Sequence, residues 1–255
     1  MAKVLSLDSS TVYGIIGLDM GGVDIKHIVS FSGGKDSSAL LLMMIEKGMQ
    51  IDEIIFCDTG KEFPAMYRHI AKVEQYIGMP ITVLKPEKSF DYWMFEHVKV
   101  KGKSKGSVGY GWPMPKIRWC TAALKREVAS KYLNEKYGND FKQYIGYAFD
   151  EPNRVKLGGG QNKLYPLYDW KITEAAALRY CYLKGFDWDG LYTHFNRVSC
   201  WCCPFQRIGE LRSLYYFYPE LWEELREMDA RSFNSFSNRY TLDDLELRFK
   251  NELIS

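Results

Sequence analysis

An apolar stretch at residues 28–31 runs directly into Ser32-Gly33-Gly34-Lys35-Asp36-Ser37, and an apolar helical stretch, 39–45, follows at once. This junction constrains the fold more than any other feature of the chain. A strand that breaks into Gly-Gly and restarts as a helix turns several backbone N–H groups toward one point, because glycine reaches conformations closed to residues with a Cβ. The serine hydroxyls and the positive end of the helix add to the attraction for an anion. Ser32, Gly33, Gly34, Lys35, Asp36 and Ser37 are therefore read as a phosphate loop. Their spacing is neither the G-x-x-x-x-G-K-[ST] of a Walker loop nor the G-x-G-x-x-G of a dinucleotide turn.

Strands and helices alternate beyond it. Residues 51–58 read as a second strand ending at Asp58 and Thr59, 65–77 as helix, 81–84 as strand, 120–137 as helix and 141–149 as strand. Such alternation requires right-handed crossovers, so the expected class is α/β with a doubly wound, mainly parallel five-stranded sheet. Ligands of such sheets sit at the C-terminal strand ends near the reversal of strand order. The loops at Ser32 and Asp58 both lie at such ends, so one nucleotide can touch both. From residue 165 the chain becomes helical, aromatic and cysteine-bearing. The expected organisation is a β-hairpin extension over 1–25, a nucleotide-binding α/β domain over 26–160 and a helical subdomain over 161–255. Residues 99–115 and 158–160 read as mobile loops.

A net charge of +2 creates no global field toward nucleic acid or membrane. The longest apolar run, 39–45, is too short to span a bilayer. With no secretory leader legible, the expectation is a cytoplasmic protein with no membrane partner. Charge is nevertheless uneven: residues 99–126 hold eight Lys or Arg and no acid. Tyr110, Trp112 and Trp119 interleave with these cations, which suits single-stranded or flipped-out nucleic acid. A solvated Lys-Gly loop carries the same composition.

Cysteines stand at 57, 120, 181, 200, 202 and 203. Cys200 and Cys203 form a C-x-x-C turn with Cys202 beside it, a spacing that lets two thiolates hold one metal centre. Cys120 opens a helix, where the dipole favours thiolate. Three or four thiolates suit a 4Fe-4S cluster or Zn²⁺. For the fourth ligand Cys202, His194 and an open iron position stay in play.

The loop resembles the S-G-G-x-D-S signature of the PP-loop ATP pyrophosphatases, which cleave ATP between its α- and β-phosphates. Over about residues 26–206 the chain resembles their phosphoadenosine phosphosulfate (PAPS) reductase-like branch. The resemblance is carried in order by Ser32 to Ser37, Asp58-Thr59-Gly60 with Phe63-Pro64, Arg118-Trp119-Cys120-Thr121 with Leu124-Lys125, Gly146-Tyr147 with Asp150-Glu151 and Arg154, Tyr165 to Trp170, and Cys200 to Pro204. It implies that Ser32, Gly33, Gly34, Asp36 and Ser37 grip phosphates, and that Asp58 and Thr59 border the adenosine. Arg118, Lys125 and Arg154 would supply cations for pyrophosphate, and Cys120, Cys200 and Cys203 would hold an iron–sulfur cluster. The chain departs from the pattern twice. Trp119-Cys120 stands where cluster-bearing reductases have Cys-Cys, so Cys202 is expected to replace the missing thiolate. The last cysteine is Cys203, whereas sulfonyl reduction uses a later, mobile one. The resemblance thus implies an ATP-dependent adenylating sulfurtransferase using Mg²⁺, with Asp36, Lys125, Arg118 and Cys202 in catalysis. Its partners would be a sulfur donor protein such as a cysteine desulfurase and a DNA or tRNA acceptor, and a homo-oligomer is open. The competing readings are a PP-loop ligase or amidase-type enzyme with structural zinc, a PAPS or adenylylsulfate reductase-like enzyme, and a non-catalytic nucleotide-binding component of a modification or defence complex.

Overall fold

The computed structural model describes residues 24–160, 162–198 and 200–252. The hairpin expected over the first twenty-five residues lies almost wholly outside them. Five strands form one parallel sheet: β1 (Lys26–Ser30), β2 (Glu53–Cys57), β3 (Ile81–Leu84), β4 (Phe141–Ile145) and β5 (Lys163–Leu164), in the order β3-β2-β1-β4-β5. The order reverses between β1 and β4, whose last paired residues are Ser30 and Ile145.

Alternation along β1 sends neighbouring side chains to opposite faces. Ile28 packs with Ile55, Leu84 and Leu133 under the helix Glu127–Tyr137. Val29 enters the larger core on the other face with α1 (Lys35–Glu46), α2 (Pro64–Ile77) and the C-terminal helices. Each face is thus covered by helices, as an all-parallel sheet requires. Glu53 is buried on β2, where it accepts hydrogen bonds from Tyr132, Tyr137, Thr82 and Lys136 and so anchors the outer helix.

The helix expected from residue 120 begins one residue earlier, at Trp119, and passes through a π-turn, Ala122–Arg126, before Glu127–Tyr137. The fourth strand ends four residues short of expectation, at Ile145. At Gly146 a Cβ would lie 2.9 Å from the backbone of Asp36 and Ser37, so the chain leaves the sheet there to pass against the loop after β1. Residues 99–115 are not a featureless loop. Val98 bridges Val108 in antiparallel fashion, and Trp112 donates its indole N–H to Asp229 at 2.7 Å, pinning the segment to the C-terminal helices. No helix among the described residues is long and apolar enough to cross a membrane.

Candidate active site

The phosphate loop is built as its sequence requires. Gly33 sits at φ +76°, and a Cβ there would approach Met66 Cε to 3.0 Å, so both conformation and space call for glycine. Ser37 Oγ closes the turn by accepting from the Ser32 N–H at 3.1 Å and donating to the Gly34 carbonyl at 3.0 Å. Helix α1 begins at Lys35 with no side-chain cap from Gly34; the Lys35 N–H donates to the Tyr192 hydroxyl at 2.8 Å, and the next N–H groups, of Asp36 and Ser37, lack an intrahelical acceptor.

Charged groups from the segments after β1 and β4 and from the start of the helix Glu174–Leu183 meet at this mouth. Lys35 Nζ lies 2.9 Å from Glu174 Oε1 and 3.4 Å from Asp36 Oδ2. Glu151, just after β4, is held by Arg154 at 2.7 Å, and the Arg154 guanidinium lies over the Tyr147 ring. Oxygens of Asp36, Glu151 and Glu174 lie within 4.8 Å of one another. Asp36 Oδ1 is buried and has no hydrogen-bond partner among the described residues. Burial pushes the Asp36 carboxyl up to about 6, with the nearby Glu174 and Glu151 adding to the rise and Lys35 opposing it. An unpartnered carboxylate oxygen among hard oxygen donors fits Mg²⁺.

The sulfur-bearing residues converge at the end of β2. The Trp201 N–H donates to the Lys61 carbonyl at 3.0 Å, and Cys203 N–H to Cys200 O at 3.1 Å, so the C-x-x-C turn is pinned to the loop after β2. Cys200 Sγ lies 3.6 Å from Thr59 Oγ1 and 3.8 Å from Glu62 Oε1. Glu62 also accepts from Thr59 at 3.1 Å and from Lys125 at 3.2 Å. Burial first, then the Glu62 charge, push the Cys200 thiol up to about 12. Burial first, then Cys203, push the Cys120 thiol up as well. Among the described residues only the Asp36, Glu151 and Glu174 oxygens lie close enough together to hold a single ion, so the three thiols do not form a single-ion site; their soft donor chemistry suits the wider spacing of an iron–sulfur cluster. Cys202, expected as ligand and sulfur nucleophile, is only 1% exposed and packs in the hydrophobic core, and burial pushes its thiol far above the ordinary range.

The remaining expected residues divide. Burial lowers the Lys125 pKa, but Glu62, Cys200 and Cys57 together more than offset it and raise it. Thr59 is buried beside Cys200, and Asp58 accepts from Tyr67 and the Gly60 N–H. Arg118 lies over the Phe205 ring, on a cavity of about 450 Å³ that it lines with Lys116, Thr121 and Arg126. Lys35 points its ammonium into the carboxylates rather than out of the loop. Glu62, Glu174 and Tyr192 were not legible as site residues. Glu62 stands between Lys61 and Phe63-Pro64, and Glu174 in the first turn of a helix capped by Thr173, so only their long-range partners mark them.

Comparison with known proteins places the chain in context. The phosphoadenosine phosphosulfate reductase domain matches residues 26–206. Two uncharacterized proteins of Methanocaldococcus jannaschii are 29% and 28% identical over 77% and 76% of this chain. The chain spans only 40% and 45% of their lengths. An uncharacterized nin region protein of Escherichia phage lambda, ORF290, is 30% identical over 59% of this chain and 58% of its own. Among solved structures, PAPS reductase from Candida auris in a phosphate complex gives a TM-score of 0.46 at 16% identity, covering 69% of this chain and 81% of that one. The U34-tRNA thiolase NcsA from Methanococcus maripaludis with its 4Fe-4S cluster gives 0.40 at 15% identity, covering 90% and 82%.

Proposed function

As the chain belongs to the phosphoadenosine phosphosulfate reductase domain family, we propose that it is an ATP pyrophosphatase that adenylates an acceptor and replaces the adenylate with sulfur. The observation that carries this reading is the meeting of two strand-end loops at the reversal of the sheet. There the Ser32–Ser37 turn lies against Gly146, with Asp36 Oδ1 unpartnered among Glu151 and Glu174.

The acceptor oxygen attacks the α-phosphorus of ATP, and the bond from that phosphorus to the bridging α,β-oxygen breaks. Pyrophosphate leaves into the N–H groups of the loop and first turn of α1, where the donors are already oriented and need no reorganisation. Asp36, Glu151 and Glu174 would hold Mg²⁺, which spreads the charge of the leaving group. Lys35 keeps the three carboxylates from repelling one another, and Arg154 holds Glu151 in place. In the second half, a sulfide-level sulfur attacks the activated carbon, and AMP departs with the electron pair of the carbon–oxygen bond. Cys120, Cys200 and Cys203 would hold an iron–sulfur cluster, which supplies a binding position for inorganic sulfide. The burial of Cys202 supports leaving that cysteine out of the transfer.

A nucleic acid acceptor is supported by the exposed cations Lys116, Arg118 and Arg126 around the cavity beside Cys120, and by Lys99, whose ammonium lies over Tyr110 and Phe233. The test is to incubate the protein with ATP labelled in the α-phosphate, with and without single-stranded RNA and DNA. AMP and pyrophosphate in equal amounts, increased by one of the polymers, are expected. ADP and orthophosphate as products would sink the proposal.

A further inference from the structure

The C-terminal helical segment touches the phosphate loop through two side chains that the reaction above does not use. The indole N–H of Trp188 donates to the Gly33 carbonyl at 2.7 Å. Four residues on, the Tyr192 hydroxyl accepts the backbone N–H of Lys35 at 2.8 Å. The two rings meet edge-on at 4.8 Å, and Trp188 also stacks on the buried His69 at 4.2 Å. The turn that delivers them is strained, with Trp188 at φ +52° and Asp189 at φ +53°. Two consecutive non-glycine residues in that region are strained, and such strain persists where the surroundings over-determine it.

The Lys35 N–H is the first donor of helix α1, one of the groups that a bound phosphate would otherwise take. A tyrosine hydroxyl has one hydrogen and two lone pairs. Here one lone pair receives the Lys35 N–H, and among the described residues the O–H itself makes no hydrogen bond. Burial, with the Asp36 and Glu174 charges adding to it, holds the Tyr192 pKa well above its ordinary value, so the group stays an O–H donor. The donor strength of the helix terminus is thereby passed outward by one hydroxyl.

We propose that Tyr192 is a nucleotide-contacting residue, donating its O–H to a phosphate oxygen of ATP while it accepts from the Lys35 N–H. This rests on the reading of Ser32–Ser37 as an ATP loop, and it makes the segment that leads to Cys200 part of the phosphate site. Trp188 is the positioning residue, since it fixes the turn and the Gly33 carbonyl and does not itself reach the anion.

The experiment is calorimetric titration of the wild type and Tyr192→Phe with Mg-ATP, inorganic pyrophosphate and adenosine. Phenylalanine keeps the ring contact with Trp188, and the melting temperature without ligand checks that the fold is unchanged. The expected result is a loss of about tenfold in affinity for ATP and pyrophosphate, with adenosine unaffected, as for removal of a hydrogen bond to a charged group. Equal loss for all three ligands would mean that the hydroxyl only supports the fold, and overturns the proposal. Unchanged or tighter ATP binding would show that the hydroxyl merely occupies the Lys35 N–H, and also overturns it. If the wild type binds ATP and the variant binds it equally, Tyr192 alone is excluded. If the wild type binds no ATP, the functional reading falls with it.

Discussion

Asp36 and Glu62 are both carboxylates at strand C-terminal ends, each facing a lysine, yet they are satisfied in opposite ways. Glu62 Oε1 is surrounded by Thr59 Oγ1, Lys125 Nζ and Cys200 Sγ. Asp36 reaches Lys35 only at 3.4 Å through one oxygen and leaves the other without a partner among the described residues. The first arrangement has already neutralised its charge. The second keeps a buried oxygen unsatisfied, at a cost of about 1–3 kcal/mol that an incoming cation would recover. The phosphate mouth is therefore built to receive positive charge. The thiol region, where burial pushes Cys120, Cys200 and Cys202 up, must lose protons before soft metal can bind.

The largest expected effect comes from breaking each region separately. Asp36→Asn should cut AMP and pyrophosphate release by about a hundredfold or more, in line with loss of a group that orients a phosphoryl-transfer metal. It should leave the metal content of anaerobically purified protein unchanged. Cys200→Ser should do the reverse, losing bound iron and acid-labile sulfide while the melting shift induced by Mg-ATP persists. One zinc per chain and no sulfide in the wild type would transfer the thiol region to a structural role. Loss of metal in Asp36→Asn would show that the two regions are one cooperative unit.

A smaller effect follows from the Asp36 carboxyl, held at about 6 against an ordinary 3.8. The folded protein binds this proton more tightly than the unfolded chain, so the carboxyl costs the fold stability as it ionises. Between pH 4 and pH 6 the wild type should lose about 2 kcal/mol relative to Asp36→Asn, approaching about 3 kcal/mol above pH 7. Urea unfolding of the two proteins across this window measures it. Mg-ATP affinity should move the other way, strengthening as pH rises through 6 and Asp36 becomes a ligand. A constant difference between the two proteins would show that Asp36 is solvated.

The contrast between the regions was legible only where local chemistry writes it. Ser32 to Ser37 announce a phosphate loop because strand, glycines and helix are consecutive, and the Cys200–Cys203 spacing announces a turn for the same reason. Partners drawn from far along the chain carry no such mark. Glu174 meets Lys35 across 139 residues and Tyr192 across 157, and no period or spacing links them. The Gly146 approach that shortens β4 is likewise a property of the folded sheet. Cys202 adjoins Cys203 in the sequence, but that its side chain is buried in the core is a property of the fold. Residues 99–115 looked mobile from their Lys and Gly content, while Trp112, in the same stretch, anchors them to Asp229 and Asn234.

The smallest effect is the one that best sharpens the comparison, because two thiols reach about the same raised pKa by different routes. Cys181 is pushed up to about 12 by burial, with Asp36 adding to it, and its Sγ donates to the Lys35 carbonyl at 3.5 Å. Cys200 reaches about 12 by burial with Glu62 adding to it and Lys125 opposing. Glu62→Gln keeps the size of the side chain and removes the charge. Cys200 should then titrate lower, since the Lys125 ammonium no longer has a carboxylate beside it, and Cys181 should not move. Glu62 is buried, so its replacement also leaves Lys125 without its charged partner, and the melting temperature of the variant checks what the fold loses. Alkylation of metal-free protein with iodoacetamide near pH 9, followed site by site by mass spectrometry, should show Cys200 reacting several-fold faster in the variant with Cys181 unchanged. Equal acceleration of both cysteines would mean that the substitution loosened the whole core. No acceleration of Cys200 would mean that burial alone holds its proton, and that Glu62 neutralises Lys125 without governing the thiol.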